Sequence, residues 1–530
     1  MRNKKLQVWL PLIFSLVMIA GMFFGFELHK RSGSNSFFAR ERRTSLQEAL
    51  DLINDRYVDK IGIDSLQENA ITEVMNHLDP HSVYIPATDV TVANEGLKGN
   101  FEGIGVEFNI FSDTVHVLYV VPDGPSDKAG LKIGDKIIKV DDSSIVSKTL
   151  PSASIRDMIK GKGGTKVKLT VIRDHTTQYY YVTRGTIPLP SLDAAYLIDG
   201  TTGYIKLNKF AEPTYREFMQ ALEGLQKQGM QKLILDLRGN GGGYVKPAVN
   251  IADEFLDSDK MIVYTQGANV PKEEYRAQKD GLFEKGKLAV IIDEMTASAS
   301  EILAGAVQDW DRAMIIGRRS FGKGLVQGQY ELSDGSAIRL TIARYYTPAG
   351  RSIQRPYDKG RKVYMEEIYE RYQNGEFFSA DSIHYQKDQK TYKTLKEGRL
   401  VYGGGGIVPD YFVGLDTSIF TRSVTQLYLD GRFNNFVYQY YIRNRGQFEQ
   451  YKNPADFANR YQDSEEAWKE LVDYAMKDSI RLAAIPQKDK KNIQDQIKAY
   501  LARLKWRTQG YYQVFNHYDP AVQKAVELLK

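Results

Sequence analysis

Residues 288–317 read LAVIIDEMTASASEILAGAVQDWDRAMIIG, and this stretch decides the fold. Leu288 to Asp293 is an apolar run of strand length, after which Ile302, Leu303, Ala306, Val307 and Trp310 recur at helical spacing. Ala313 to Gly317 is apolar again. A strand, a helix and a second strand in that order close as a right-handed crossover, which sets the strands parallel and brings their ends to one edge of a sheet. Ser298 falls at the turn into the helix. Unpaired amides and the positive end of the helix dipole suit that place for a nucleophile, because both favour a developing oxyanion. An isolated serine there more often caps the helix, and Ser298 and Ser300 are both open to that plainer role.

Working outward, Ala313 to Gly317 delivers the chain into Arg318-Arg-Ser-Phe-Gly-Lys323-Gly-Leu-Val-Gln327, which passes over the edge where Ser298 sits. Upstream, the apolar strand Lys232 to Leu237 runs into D-L-R-G-N-G-G-G at 236–243. Open α/β sheets bind ligands at the carboxyl ends of their strands. Three loops therefore converge: a serine, a lysine and a glycine-rich source of N–H donors. A serine nucleophile needs a base that is neutral near pH 7, and lysine serves when burial lowers its pKa by several units from about 10.4. Phe321 and Val326 offer apolar cover. No histidine lies between His175 and His384, and no G-x-S-x-G elbow occurs. Both facts favour lysine over histidine as the base.

Two other readings of Lys323 are weaker on local grounds. Gly317 to Lys323 has the spacing of a phosphate-binding loop, but Gly324 stands where Ser or Thr would hold Mg²⁺, and no helix-forming run follows. Ser320-x-x-Lys323 has the spacing of the penicillin-binding S-x-x-K, which needs a helix that Gly322 and Gly324 oppose.

Around this core the chain changes texture. Strands alternate with helices from Gly203 to Val413, so the fold class is α/β, and a core domain is drawn at 186–415. A compact module at 96–185 has short strands with glycine turns: Val115 to Val121 alternates, and Val167, Leu169 and Val171 share a face. Gly103-Ile104-Gly105-Val106 precedes a strand, and Gly124-Pro125 opens a short helix ending at Gly130. This pattern resembles a PDZ domain, whose glycine-rich loop presents amides to a terminal carboxylate while the peptide adds as a strand. Ser45-x-x-Glu48 and Ser65-x-x-Glu68 read as capping boxes within a helical module at 35–95. Residues 355–399, charged and tyrosine-rich, read as a surface excursion. Residues 416–530 read as helical, with no motif that points to chemistry.

Composition bounds the class. A chain of 530 residues implies two to four domains, and 42% hydrophobic with 26% charged residues excludes both wholesale disorder and a polytopic membrane protein. The 71 Lys plus Arg against 66 Asp plus Glu leave +5, spread without a dominant block, so no nucleic-acid partner is expected. The lack of cysteine removes thiol catalysis, Cys-ligated zinc and disulfides. Behind Arg2, Lys4 and Lys5, residues 8–26 are apolar except for Pro11, Ser15 and two glycines. That is close to the about 20 residues that span a bilayer. Gly25-Phe26-Glu27-Leu28 has no A-x-A-like end, so residues 1–30 are expected to be an uncleaved membrane anchor. The expected location is a bacterial-type cell envelope, anchored in the inner membrane with the catalytic part on the periplasmic or extracytoplasmic side.

Several motifs follow in order: L-D-P-H-S at 78–82, F-E-G-I-G at 101–105, D-L-R-G-N-G-G-G at 236–243, T-A-S-A-S-E-I-L-A-G-A-V-Q-D at 296–309, F-G-K-G-L-V-Q at 321–327, Y-Y-T-P-A-G-R-S-I-Q at 345–354 and G-I-V-P-D at 406–410. Over residues 44–415 the chain resembles the carboxyl-terminal processing peptidases, also called tail-specific proteases. The resemblance implies a crotonase-like ββα-spiral core, mixed α+β, with the PDZ module inserted before it. It implies that Ser298 is the nucleophile, Lys323 the general base and Gln327 the group that orients the lysine. The amides of Ala299 and Gly242 would form the oxyanion hole, although three consecutive glycines leave room for a shift of one residue. Gly103, Ile104, Gly105 and Val106 would receive the free C-terminus of a protein or peptide substrate. No cofactor, metal or nucleotide is implied, and a homo-oligomer is compatible with all of this. A competing expectation from another class is a catalytically inactive, membrane-anchored peptide-binding scaffold, against which the intact Ser298, Lys323 and Gln327 weigh.

Overall fold

The computed structural model describes residues 4–31, 44–111, 113–146, 150–383, 389–416, 421–462, 464–482 and 485–530, and divides into two units, Met1–Val74 and Met75–Lys530. The first unit is helical. Helix Lys4–Arg31 contains Pro11, and its described side chains from Ile13 to Gly25 are all exposed. Among the described residues no helix is long and apolar enough to cross a membrane. Helix Ser45–Arg56 buries none of its residues. Its cap is Thr44 and not Ser45: the Thr44 hydroxyl accepts from Gln47 N (3.4 Å), and Gln47 Oε1 accepts from Thr44 N (3.2 Å). The capping box is thus real but begins one residue early, because Thr44-x-x-Gln47 satisfies the same pair of donors. The next helix starts at Ile63, which leaves Ser65 inside its first turn.

In the second unit, a six-stranded sheet runs Leu192–Leu197, Thr202–Leu207, Lys232–Asp236, Lys287–Ile292, Met314–Gly317 and Tyr411–Phe412. The first pair is antiparallel and the others are parallel, in a register that sets Asp236 beside Ile291 and Ile291 beside Ile316. Parallel strands are covered on both faces, which is why they read as unbroken apolar runs. On one face, helices Thr214–Lys227, Val245–Asp253 and Ala299–Asp309 bring Phe218, Ile251, Leu303 and Val307 against Leu235 and Val290. On the other, helix Pro520–Leu529 brings Ala521, Val522, Ala525 and Leu529 against Tyr204, Ile234, Ala289, Ile291 and Ile316.

A second sheet is built on the long strand Ala337–Tyr346, which pairs along its length with Leu325–Glu331 and also with Val83–Ile85 and Met261–Gln266. The L-D-P-H-S turn is thereby delivered next to the segment that carries Lys323. The PDZ-like module is a separate sheet in the order Val106–Phe111, Thr114–Val120, Lys136–Val140, Lys166–Arg173, Thr176–Thr183. Val115, Val117, Ile137, Leu169 and Val171 form its core. Its stem is the antiparallel pair Asn100–Gly103 with Gly185–Pro188, which leaves Val106–Phe111 as an edge strand. The mixed α/β core, the PDZ-like module and a helical region beyond residue 416 agree with the expected fold class.

The surface excursion expected at 355–399 is not one. Its helix Arg361–Gln373 buries Tyr364 and Arg371. Arg371 donates to the carbonyls of Arg319 (2.7 Å) and Ser320 (3.1 Å), and the Arg355 guanidinium lies over the rings of Phe321 (4.1 Å) and Tyr364 (3.9 Å). Charge in a sequence does not distinguish a solvated side chain from one paired under cover, and here Glu376 pairs with both Arg319 and Arg371. The helical region closes a core of its own around Phe436, Tyr440, Phe457, Leu471 and Ile497.

Candidate active site

Ser298 sits between strand Lys287–Ile292 and helix Ala299–Asp309 with φ 57 and ψ −116. A side chain other than glycine is strained there, and such strain persists only where the surroundings over-determine it. They do so here. Ser298 N donates to Glu301 Oε2 (2.8 Å), and the carbonyl of Ser298 accepts from Glu301 N (2.9 Å) and Ile302 N (3.1 Å). Just before it, Ala297 N donates to the carbonyl of Asn240 (3.0 Å).

The three serines that compete in the sequence separate cleanly. Ser300 is fully buried, its hydroxyl donating to the Asn240 carbonyl (2.9 Å). Ser320 is also fully buried; its hydroxyl donates to Glu301 Oε1 (2.5 Å) and accepts from Ile407 N (2.6 Å). Ser298 is the half-buried one of the three. The buried Tyr345 hydroxyl donates to the Lys323 carbonyl and acts electrostatically on Ser298.

Lys323 Nζ donates to Gln327 Oε1 (3.0 Å), and Gln327 Nε2 donates to the carbonyl of His81 (2.6 Å). Burial pushes the Lys323 amine below its ordinary 10.5, with the charge of Arg339 adding to the effect and Asp79 and Glu301 opposing it. The L-D-P-H-S turn is itself held by Asp79, which accepts from His81 N (2.8 Å), Ser82 N (2.9 Å) and the Ser82 hydroxyl (2.5 Å). The His81 ring meets the Tyr364 hydroxyl (2.9 Å), and burial, then the charge of Lys323, pushes its pKa down to about 4. Burial pushes His116 down to about 4 as well.

These two histidines make stability depend on pH. Between about pH 6.5 and 4 the unfolded chain binds protons that the folded chain refuses, so their contribution is complete above about 6.5 and is lost as pH falls toward 4. Melting temperatures measured from pH 7 to pH 4 are expected to fall, and the slope to flatten in His81→Gln combined with His116→Gln.

One carboxylate ties the two sides of the site together. Glu301, fully buried, accepts at Oε2 from Ser298 N and Lys323 N (2.8 Å each) and at Oε1 from Gly322 N (2.7 Å) and the Ser320 hydroxyl. Two backbone nitrogens that share a single oxygen must lie close, so Ser298 and Lys323 meet through it. Burial raises the Glu301 pKa, and the four donors oppose that shift.

Gly242 has φ 95, and a Cβ there would stand 2.7 Å from the Ala297 carbonyl oxygen and 2.8 Å from Ser298 Cβ. Only glycine permits this approach. Its amide donates to Asn240 Oδ1 (2.9 Å), so the N–H expected to face an oxyanion is engaged within its own loop in this conformation. Ala299 is the first helical residue, and its amide has no acceptor within the helix. The structure therefore brings together Ser298, Ala299, Gly242, Lys323 and Gln327. Gly103, Ile104, Gly105 and Val106 lie in the PDZ-like module, where Ile104 is buried and Val106 opens the edge strand. Among the described residues no cluster of His, Asp or Glu is arranged to hold a metal ion.

Sequence reasoning missed Glu301 and Tyr345. For Glu301 there was a signal, the Ser298-x-x-Glu301 spacing of a capping box. Tyr345 stands in a quoted motif, but nothing local ties it to the serine.

Residues 201–359 match peptidase family S41, residues 103–183 a PDZ domain, and residues 423–507 a family of unknown function. A "Probable CtpA-like serine protease" of Staphylococcus epidermidis is 31% identical over 432 residues, 80% of this chain and 83% of the relative. The "Carboxy-terminal processing protease CtpA" of Bacillus subtilis is 32% identical over 348 residues, 65% of this chain and 73% of the relative. A solved photosystem II D1 C-terminal processing protease is 29% identical, with 58% of this chain and 89% of that one covered and a TM-score of 0.34. The chain thus belongs to the carboxy-terminal processing serine proteases of peptidase family S41.

Proposed function

We propose that the protein cleaves protein substrates with Ser298 as nucleophile and Lys323 as general base, after its PDZ-like module captures their free C-termini. The observation that carries this reading is the shared Glu301 carboxylate, which holds the backbones of the serine and the lysine side by side. Neutral Lys323 takes the Ser298 proton as the serine oxygen attacks the scissile carbonyl, and the oxyanion is met by the Ala299 amide. The Gly242 amide joins it once it turns from Asn240. Lys323 then gives its proton to the leaving amine, and water hydrolyses the acyl-enzyme.

Gln327 accepts from the lysine amine and is itself fixed by His81, so it sets where the amine points. Gln327→Ala is expected to lower kcat about tenfold or more, with KM little changed, in a steady-state peptide assay. For substrate capture, the open edge of Val106–Phe111 supports pairing with an extended peptide. The apolar run at residues 8–26 supports attachment to a membrane, with the remainder on the extracytoplasmic side.

The test is to incubate residues 44–530 with an unfolded protein ending in apolar residues, and with the same protein amidated at its C-terminus. Cleavage that is slowed by amidation and absent in Ser298→Ala is expected. Equal cleavage by Ser298→Ala overturns the nucleophile assignment, and binding without cleavage by any form favours a scaffold.

A further inference from the structure

Residues 508–530 lie beyond the three matched stretches, and their sequence announces no chemistry. Asp519 nevertheless reaches the catalytic loop. It caps helix Pro520–Leu529 with Oδ1, which accepts from Ala521 N (2.9 Å) and Val522 N (3.0 Å). Its other oxygen, Oδ2, accepts from Arg238 Nη1 (2.8 Å). Arg238 belongs to the D-L-R-G-N-G-G-G loop and also forks onto Asp236, with Nη2 to Oδ2 at 2.6 Å and Nε to Oδ1 at 3.1 Å.

A second carboxylate on Arg238 suits the charges around it. Lys206 and Arg238 both face Asp236, which is fully buried and also accepts from the Tyr204 hydroxyl (2.8 Å). Lys206 donates to the Arg238 carbonyl as well. Two cations thus lean on one buried carboxylate, and charge under cover is costly unless it is paired. Asp519 places a further carboxylate directly on Arg238. Beyond Arg238, Gly239 N donates to Asp293 Oδ1 (2.9 Å), the Asn240 carbonyl receives Ala297 N and the Ser300 hydroxyl on either side of Ser298, and Gly242 packs on Ser298 itself.

We infer that Asp519 is a positioning residue for the peptidase reaction: through Arg238 it fixes the 238–243 loop against which Ser298 and the Ala299 amide are set. This rests on the Ser298–Lys323 reading.

Asparagine caps a helix as well as aspartate, so Asp519→Asn retains the helix while removing the charge that faces Arg238. In the full chain, its kcat is expected to fall about ten- to a hundredfold with KM within about twofold of the parent. Hydrogen exchange should quicken in the peptide covering residues 237–244 and stay slow in 520–529. Leu529→Ala, which loosens the packing of the same helix without touching Arg238, should keep the parental kcat per folded molecule. Parental kcat and parental exchange in Asp519→Asn would overturn the inference. So would an equal loss of kcat in Leu529→Ala, which would reduce the effect to general stability. Failure of the underlying reading shows separately, as cleavage by Ser298→Ala.

Discussion

Ser298→Ala and Lys323→Ala are each expected to lower kcat by about 10⁴- to 10⁶-fold, with the double variant losing no more than the worse single one, because groups acting as one unit are not additive. Lys323→Arg should be as inactive as Lys323→Ala, since a guanidinium does not release its proton at any working pH. In the parent, kcat/KM should rise with pH. The protonated amine cannot accept the serine proton, so the rate follows the neutral fraction of Lys323 and levels off above its folded pKa, which burial holds under 10.5. Arg339 contributes to that depression, so Arg339→Gln should move the rising limb to higher pH. A pH–rate series on a quenched peptide reads all of these. A flat profile, or an active Lys323→Arg, would remove lysine from the role of base.

Glu301→Ala is expected to cost more in folding than any other single change at the site. It leaves the amides of Ser298, Gly322 and Lys323 and the Ser320 hydroxyl without their acceptor, around a carboxylate that is itself fully buried. At about 1–3 kcal/mol for each orphaned donor, partly relieved by relaxation, the loss is on the order of 4 kcal/mol or more. Glu301→Gln should be milder. Its oxygen can still serve Ser298 and Lys323, while its NH₂ can donate to Ser320 but confronts the amide of Gly322. Chemical denaturation should therefore rank parent, Glu301→Gln and Glu301→Ala in falling order, and kcat per folded molecule should fall in the same order. Parental stability in Glu301→Ala would show that the carboxylate does not organise the site.

Much of the fold is legible because parallel strands buried on two faces leave unbroken apolar runs, as in Leu288 to Ile292. The helix that follows keeps its own period. The approach of Lys323 to Ser298 follows from that crossover, whereas the choice of Ser298 over Ser300 and Ser320 does not. That choice came with the family resemblance; what local sequence could not show is that Ser300 and Ser320 are engaged by the carbonyl of Asn240 and the amide of Ile407, each brought in by a distant segment. Tyr345 and Asp519 were invisible for the same reason. Residues 355–399 misled because paired arginines and glutamates have the composition of a solvated loop. The Gly242 amide could be read as an open donor in the sequence, since only the folded Asn240 side chain shows where it goes.

The backbone at position 298 makes a selection of its own. At φ 57 an unbranched Cβ is tolerated, whereas a second heavy substituent on Cβ would collide with the flanking peptide groups. Threonine carries the same hydroxyl and would be disfavoured here by shape alone. A cysteine, unbranched like serine, fits the same torsions. The turn therefore separates candidate nucleophiles by their branching before their reactivity is ever in question.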